Sequence, residues 1–401
     1  MLDYFFDILY NKHAVICILY RKVALFLLNE SYIREIADHF LIPGTFDSIT
    51  EIPTGHINST YRIDYIISGE RVPYLLQMIN PNVFKNADHL MANIVSVTSF
   101  VRDKIIAKGG DPDRETLFVK PTSKGTNYYV DNNGAAWRLY NYIDNAYSPN
   151  TVESPELFFD AGYAFGNFQN MLSDFPADKL YETIPNFHNT AKRYANLCAS
   201  VELDVKSRVD SVRPEIDFAF ARKEDSFVLV NMIKEGQLPL RVTHNDTKLN
   251  NIMFDNVTKK PICIVDLDTV MPGLSLYDFG DSIRFGANTA AEDETDLSKV
   301  SLDLNLYEAF TRGYLTSAGN SLTENEVKYL PFASKLMTFE CGMRFLTDYL
   351  DGDVYFGIAH AQHNLDRCRT QFALVADIEK KYEQMMDITA KAYLEICGKT
   401  F

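Results

Sequence analysis

A two-lobed α+β fold, with a small antiparallel-sheet lobe followed by a larger helical one, is predicted by three features of this 401-residue sequence. Short β-patterned runs separated by turn residues fill the stretch from Ile49 to Tyr142. After Asp144, long segments carry apolar residues at helical spacing. One compact polar island, Leu240 to Val270, interrupts those helices with two short apolar runs. The domain boundaries that follow are an apolar extension over residues 1–30, a first lobe over 31–143 and a second over 144–401.

Met1 to Leu28 is rich in Phe, Tyr, Leu and Ile, but Asp3, Asp7, Lys12, Arg21 and Lys22 interrupt it. Its longest apolar run, Ala14 to Tyr20, is far short of the roughly 20 residues that a membrane helix needs, and no small-residue cleavage site follows. A packed or surface-lying extension helix is expected rather than an anchor, with a start codon assigned too far upstream as the alternative. In the first lobe the expected strands are Ile49–Ile52, Thr60–Ile67, Tyr74–Ile79, Leu117–Val119, Tyr128–Val130 and Trp137–Tyr142. Turn clusters such as Ser68-Gly69-Glu70 and Asp131-Asn132-Asn133-Gly134 separate them. A helix is expected over Ala87–Lys108, where Leu90, Ile94, Val97, Val101 and Ile105 form one stripe and Gly109-Gly110 ends it. In the second lobe helices are expected over Pro155–Phe175, with Ser154 as cap, and over Ala191–Val201, Glu215–Lys234, Leu302–Tyr314, Glu324–Leu350 and Asn364–Ile396.

Composition narrows the function classes. Hydrophobic residues make up 46% of the chain, enough for a large core, and no low-complexity tract is present, which excludes fibrous and disordered classes. Lys and Arg number 39 against 54 Asp and Glu, and a net charge of −15 repels a polyanion, so no nucleic-acid partner is expected. The six cysteines, Cys17, Cys198, Cys263, Cys341, Cys368 and Cys397, lack the spacing of a zinc site or a disulfide framework. They read as free thiols in a reducing cytoplasm. His360 and His363 lie close together, but no further ligand type stands at a useful spacing.

The polar island carries the chemistry. It reads Arg241-Val-Thr-His-Asn-Asp-Thr-Lys-Leu-Asn-Asn-Ile-Met-Phe254, then Pro261-Ile-Cys-Ile-Val-Asp-Leu-Asp268. His244-x-Asp246, then Asn251, then Asp266 at the end of an apolar strand resemble the catalytic loop and metal-binding Asp of the protein-kinase-like phosphotransferases, which include aminoglycoside and choline kinases. The resemblance implies a kinase-like fold, ATP and Mg²⁺ as cofactors, and phosphoryl transfer to a hydroxyl. Such transfer needs an aligned acceptor and neutralised phosphate charge rather than covalent work by the protein. Asp246 would accept the hydroxyl proton, Asn251 and Asp266 would supply hard oxygen ligands to Mg²⁺, with Asp268 as a further candidate, and His244 would hold the loop's shape. Asp278-Phe279-Gly280 spells the kinase metal triplet, yet no apolar strand precedes it, and the resemblance to small-molecule kinases implies that Asp278 or Asp281 braces the loop instead.

Longer strings resemble those of bacterial N-acetylhexosamine 1-kinases over roughly residues 31–401. They include Gly55-His-Ile-Asn-Ser-Thr-Tyr61, Leu76-Gln-Met-Ile-Asn80, Tyr277-Asp-Phe-Gly-Asp281 and Glu340-Cys-Gly-Met-Arg-Phe-Leu-Thr-Asp348. This closer resemblance implies that Gly55, Asn58, Ser59 and Thr60 cover the nucleotide phosphates, and that Gln77 stands where the kinase scheme has a strand Lys. Tyr140–Ile143, with Tyr142, would be the hinge that pairs with adenine. Arg344, Tyr355, His56 and Phe285 would line the sugar pocket. The alternative for Arg344 is a salt bridge to Glu340, one helical turn earlier. Trp137, the only tryptophan, is expected in the core. The implied reaction is transfer of the γ-phosphate to the anomeric hydroxyl of N-acetylglucosamine or N-acetylgalactosamine. Rivals are a kinase of choline, an aminoglycoside or a hydroxyl amino acid, and a non-catalytic pseudokinase, which the loss of the strand Lys and helix Glu would favour.

Overall fold

The computed structural model describes residues 30–53 and 58–401. The expected N-terminal extension, and Gly55 and His56 of the expected phosphate turn, lie outside the described residues. The chain divides into two compact units: residues up to Ala87 with Phe118–Tyr142, and Asp88–Leu117 with Ile143–Phe401.

The first unit contains α1 (Glu30–Ala37) and the strands β1 (Thr45–Ile52), β2 (Ser59–Ile67) and β3 (Glu70–Met78). The helix α2 (Ala87–Ala107) follows in sequence, then β4 (Tyr129–Val130) and β5 (Ala136–Asn141) return to the sheet. All pairings are antiparallel, in the order β1-β2-β3-β5-β4. Alternation along the strands sends Tyr61, Ile63, Tyr65, Tyr74, Leu76, Trp137 and Leu139 into one core with Ile33, Ile36 and Ala37 of α1. The opposite face of the same strands therefore carries Thr60, Arg62, Asp64, Gln77 and Arg138. Leu117–Val119 forms no strand; Val119 makes a single bridge to Tyr140.

The residues 88–117 group with the second unit rather than with the sheet. Hydrogen bonds account for this: Asn93 Nδ2 of α2 donates to the Tyr181 and Val270 carbonyls at 2.8 and 2.9 Å, and Lys104 Nζ donates to the Met171 carbonyl at 2.7 Å. After β6 (Ala146–Tyr147) come α3 (Pro155–Met171), α4 (Thr190–Leu203), α5 (Arg213–Phe220) and α6 (Asp225–Lys234). Ser154 Oγ caps α3 by accepting the Leu157 amide. The single helix expected over Glu215–Lys234 is two helices, broken between Phe220 and Asp225. The polar island holds β7 (Arg241–Thr243), β8 (Ile252–Asp255), β9 (Pro261–Ile264) and β10 (Met271–Gly273); β6, β8 and β9 form one small sheet, and β7 with β10 another.

The remaining helices are α7 (Ser275–Gly286), α8 (Leu304–Ala318), α9 (Glu324–Lys328), α10 (Leu330–Asp351) and α11 (His363–Cys397). The long helix expected over Glu324–Leu350 is broken at Tyr329, because Pro331 has no amide hydrogen to continue α9 and suits the first turn of a new helix. α3 and α8 pack closely enough that a Cβ on Gly162 would overlap the Phe310 carbonyl. Among the described residues no helix is long and apolar enough to cross a membrane, and the described cysteines are unpaired.

Asp131 secures the turn between β4 and β5. Its carboxylate accepts from the Asn133 and Ala135 amides, Trp137 Nε1 and Tyr32 Oη, at 2.8, 2.9, 2.8 and 2.5 Å. Burial pushes the Asp131 pKa up, but these donors outweigh it and leave it below the usual carboxylate value. Burial and the bond to Asp131 push Tyr32 up to about 12. The stability that Asp131 contributes is therefore present above its unfolded pKa of about 4 and is lost as pH falls through its folded value. The Tyr32 contribution is present below about pH 10 and is lost as pH rises towards its folded value. Asp131→Ala, which orphans the Trp137 donor in the core, is expected to destabilise the sheet unit by about 2–4 kcal/mol in urea unfolding followed by Trp137 fluorescence. An unchanged midpoint would contradict this account.

Candidate active site

The island's loop is built from both ends. β7 pairs with β10, so the chain leaves the sheet at Thr243 and re-enters at Met271. Thr243 Oγ1 donates to the Met271 carbonyl and to Asn245 Oδ1, each at 3.0 Å. His244 is buried beside the rings of Phe165 and Phe168 from α3. Its Nε2 lies 2.9 Å from the Val265 carbonyl, and its Nδ1 accepts the Asp246 amide at 3.3 Å. A carbonyl only accepts and an amide only donates, so the geometry requires the neutral ring with its proton on Nε2. Both nitrogens are thus used in holding the loop. Asn245 adopts φ 63°, a left-handed conformation that Asn tolerates better than most residues, and its Nδ2 donates to the Thr269 carbonyl at 2.9 Å.

Asp278, in the first turn of α7, closes this arrangement from below. Its Oδ2 accepts the His244 amide at 2.9 Å and Gln169 Nε2 at 2.8 Å, and its Oδ1 accepts the Asn245 amide at 2.7 Å. Burial pushes the Asp278 pKa up, against the pull of these donors. Phe279 is core, and a Cβ on Gly280 would overlap the Ala333 carbonyl of α10. The Asp-Phe-Gly triplet is thereby explained by bracing, core packing and helix approach. Asp281 pairs with buried Arg284 at 2.8 Å.

The Asp246 side chain is 25% exposed, and its Oδ1 lies 2.7 Å from Lys248 Nζ. Asn251 Nδ2 donates to the Asp246 carbonyl at 2.7 Å and approaches its Oδ2 at 3.3 Å. That orientation leaves Asn251 Oδ1 without a donor among the described residues. The β8–β9 hairpin pairs Ile252 with Ile264, and the Val265 amide donates to the Asn251 carbonyl at 2.9 Å, which brings the strand end carrying Asp266 beside Asn251. Asp266, at φ 59°, is exposed, whereas Asp268 is 2% exposed. No three His, Cys, Asp or Glu side chains converge on one point among the described residues. Asn251 and Asp266 are two hard oxygen donors, a set that fits Mg²⁺, which completes its shell with phosphates and water. Lys248 went unassigned in the sequence. Burial lowers its pKa, but Asp246 and Asp281 more than offset this and hold it above the usual Lys value.

Arg344 and Tyr355 are brought together. The Arg344 guanidinium lies 5.4, 5.6 and 5.9 Å from the rings of Phe356, Phe187 and Tyr355. It makes no ion pair or hydrogen bond with a described residue. The alternative pairing with Glu340 is not formed, because the Glu340 carboxylate is taken by His188 Nδ1 at 2.8 Å and Thr190 Oγ1 at 2.6 Å. Arg193 lies nearby, its pKa lowered by burial and by Arg344. Tyr355 is 65% exposed on a loop held by Asp348, whose carboxylate accepts the Val354, Tyr355 and Phe356 amides at 2.9, 2.8 and 3.0 Å. Phe285 is half-buried on α7 against the helical core. No described contact joins it to Arg344.

In the sheet unit, strand register sets Thr60 opposite Gln77 and Gln77 opposite Arg138. Gln77 Nε2 donates to Thr60 Oγ1 at 3.1 Å, and Gln77 Oε1 accepts from Arg138 Nε and Nη2 at 3.1 and 2.8 Å. Arg138 thus supplies a cation beside the position that lacks a Lys, and only the pairing of distant strands could reveal it. Asn58 Oδ1 accepts the Asn80 amide at 3.0 Å; Ser59 begins β2; the Tyr142 ring lies 5.0 Å from the Arg62 guanidinium.

Comparison with known proteins adds to this geometry. Residues 125–316 match the model of the phosphotransferase enzyme family, APH. An aminoglycoside phosphotransferase from Alicyclobacillus acidocaldarius is similar over 91% of this chain and 96% of its own, at 12% identity and a TM-score of 0.56. The GDP complex of aminoglycoside 2'-phosphotransferase-IIIa is similar over 86% and 99%, at 11% identity and a TM-score of 0.53. A choline kinase from Cryptosporidium parvum is similar over 92% and 99%, at 13% identity and a TM-score of 0.52. The chain therefore has the kinase-like fold of these structures, and its residues 125–316 are similar in sequence to the phosphotransferase enzyme family.

Proposed function

We propose that this protein is a small-molecule kinase that transfers the γ-phosphoryl group of ATP to the anomeric hydroxyl of an N-acetylhexosamine, giving the sugar 1-phosphate and ADP. The observation that carries the reading is the solvent-reaching Asp246 carboxylate, held beside Lys248 and Asn251 on a loop whose backbone is hydrogen-bonded on every side. Asp246 accepts the proton of the acceptor hydroxyl as its oxygen bonds to the γ-phosphorus and the bond to ADP breaks. Asn251 Oδ1 and the Asp266 carboxylate would hold Mg²⁺, which when bound neutralises phosphate charge. Asp268 is the less accessible candidate. Lys248 supports the reading by adding positive charge next to the carboxylate, in a chain that has Gln77 where the kinase scheme has a strand Lys. Asn58, Ser59, Thr60 and the backbone near Tyr142 are assigned to the nucleotide, with Gly55 from the preceding turn.

The acceptor assignment is supported by Arg344. A guanidinium with no carboxylate partner, a second guanidinium nearby and three aromatic rings around it disfavour a cationic acceptor such as choline or an aminoglycoside. They suit a neutral polyhydroxyl compound that takes directional donors on one edge and a flat apolar wall on the other. Tyr355 and Phe285 are assigned to that wall, and His56 to the same pocket. The substitution at Gln77 favours one rival, a nucleotide-binding protein without turnover.

A coupled ADP-release assay with Mg²⁺-ATP and a panel of N-acetylglucosamine, N-acetylgalactosamine, plain hexoses, choline and kanamycin tests the reading, with ³¹P NMR to locate the product phosphate. Turnover with the acetamido sugars alone and an anomeric phosphate are expected. Turnover only with choline or kanamycin would overturn the acceptor, and tight Mg²⁺-ATP binding without turnover on any acceptor would leave the non-catalytic rival. Asp246→Asn is expected to lower kcat about 10²–10⁴-fold while the KM for ATP changes little. Arg344→Gln is expected to raise the KM for the sugar about tenfold, the loss of one charged hydrogen bond, with the KM for ATP unchanged. Equal effects on both substrates would remove Arg344 from the sugar site.

A further inference from the structure

The peptide unit that joins Asn245 to Asp246 is held at both ends by a different histidine. Its N–H, on Asp246, donates to His244 Nδ1 at 3.3 Å. Its carbonyl, on Asn245, faces His188 Nε2 at 3.2 Å. His188 comes from the segment preceding α4 and is buried beside the ring of Tyr277, 5.3 Å away. Its other nitrogen, Nδ1, lies 2.8 Å from Glu340 Oε1, and the second oxygen of that carboxylate accepts from Thr190 Oγ1 at 2.6 Å. Glu340 stands one turn before Arg344 on α10.

Each of these bonds has a consequence for the ring. The Glu340 pKa is pushed up by burial but pulled below its usual value by His188, Thr190 and Arg193, so the group facing Nδ1 is a carboxylate. A carbonyl faces Nε2. Both neighbours are acceptors, and both bonds are made only by a ring with a proton on each nitrogen. His244, in contrast, makes its two bonds as a neutral ring. One peptide plane is thus gripped by an imidazole acceptor on its N–H and an imidazolium donor on its carbonyl.

We infer that His188 is a positioning residue for phosphoryl transfer: it fixes the peptide that carries Asp246 and ties it, through Glu340, to the helix that presents Arg344. The inference rests on the phosphotransferase reading above. Rotation of that peptide would swing the Asp246 Cα–Cβ bond. His244 alone opposes rotation only through a 3.3 Å bond, while the Glu340–His188 pair anchors the other end to α10. A shift of about 1 Å in a reacting group costs on the order of 10²-fold in rate without altering how tightly either substrate binds. The acceptor-binding helix and the loop of the base therefore keep one register through a single buried ion pair.

The test compares full-length wild type with His188→Phe and the isosteric Glu340→Gln, with Asp246→Asn as reference. Steady-state kinetics use the best acceptor of the panel, and each variant's melting temperature is recorded to correct for unfolded protein. His188→Phe is expected to lower kcat about 10- to 100-fold, with both KM values within about twofold of wild type. Glu340→Gln is expected to lower kcat to a smaller degree in the same pattern. In ¹⁵N-histidine-labelled wild type, the ring signals that vanish in His188→Phe are expected to show both nitrogens protonated, and Glu340→Gln to remove one of those protons. An unchanged kcat in correctly folded His188→Phe or Glu340→Gln, or a rise in acceptor KM alone, overturns the inference while leaving the phosphotransferase reading intact. Wild type without turnover on any acceptor overturns both.

Discussion

The Asp278 carboxylate, buried and accepting two consecutive backbone amides, is the interaction on which the rest of the site depends. Between Thr243 at the end of β7 and Ile252 at the start of β8 the chain lies in no strand, so the His244 and Asn245 amides need an acceptor other than a strand partner. Placing a carboxylate in the interior costs several kcal/mol in lost hydration. Three hydrogen bonds to a charged acceptor, each contributing about 1.5–3 kcal/mol, offset that cost. These donors favour the ionised form and oppose the burial that raises the pKa. The outcome is a loop that turns through a left-handed Asn245 and delivers Asp246 to solvent with its backbone spoken for.

Once that turn is set, the neighbouring groups fall into two sets with different exposure. His244, Asn245, Thr269, Asp278 and Ser282 are buried and hydrogen-bonded to backbone, so they determine shape. Asp246, Lys248 and Asp266 reach solvent and carry net charge that a ligand can meet. Asn251 belongs to both sets: its nitrogen braces the Asp246 carbonyl, and this use of the amide turns its oxygen outward. A substitution to Asp would lose the donor, and one to Leu would lose both roles.

The division of labour explains what could be read from the amino-acid sequence. His244, Asp246, Asn251 and Asp266 lie close in the chain, and the hairpin that aligns the last two is local, so residue type and spacing carried the family resemblance that proposed them. The lack of a preceding strand argues only against a metal role for Asp278; the resemblance implies that Asp278 or Asp281 braces the loop, and it is Asp278 that bonds the His244 and Asn245 amides. Contacts between distant segments left no such trace. Arg138 reaches Gln77 only because β5 pairs with β3, and His188 reaches Asn245 only because the segment before α4 packs under the loop. The helix period also ran through breaks that geometry imposes, at Tyr329 before Pro331 and between Phe220 and Asp225, because apolar spacing persists across a change of helix axis.

Charge around Arg344 is the least expected feature in a chain of net charge −15. Acidic side chains are abundant, and Glu340 is one turn away, yet that carboxylate is spent on His188 and Thr190, while Asp348 is spent on the three amides of the Tyr355 loop. Both acids are committed to holding backbone or ring in place rather than to neutralising the guanidinium. Arg344 is instead accommodated by the faces of Phe187, Tyr355 and Phe356, whose attraction for a cation is weaker than that of a carboxylate and does not use up its hydrogen-bond donors. Arg193 nearby raises the local potential further. A guanidinium kept in this way retains its N–H groups, and on the proposed reading these would take the acceptor's oxygens while the same potential would repel an amine. The selectivity argued for the acceptor thus follows from where the nearby carboxylates are not.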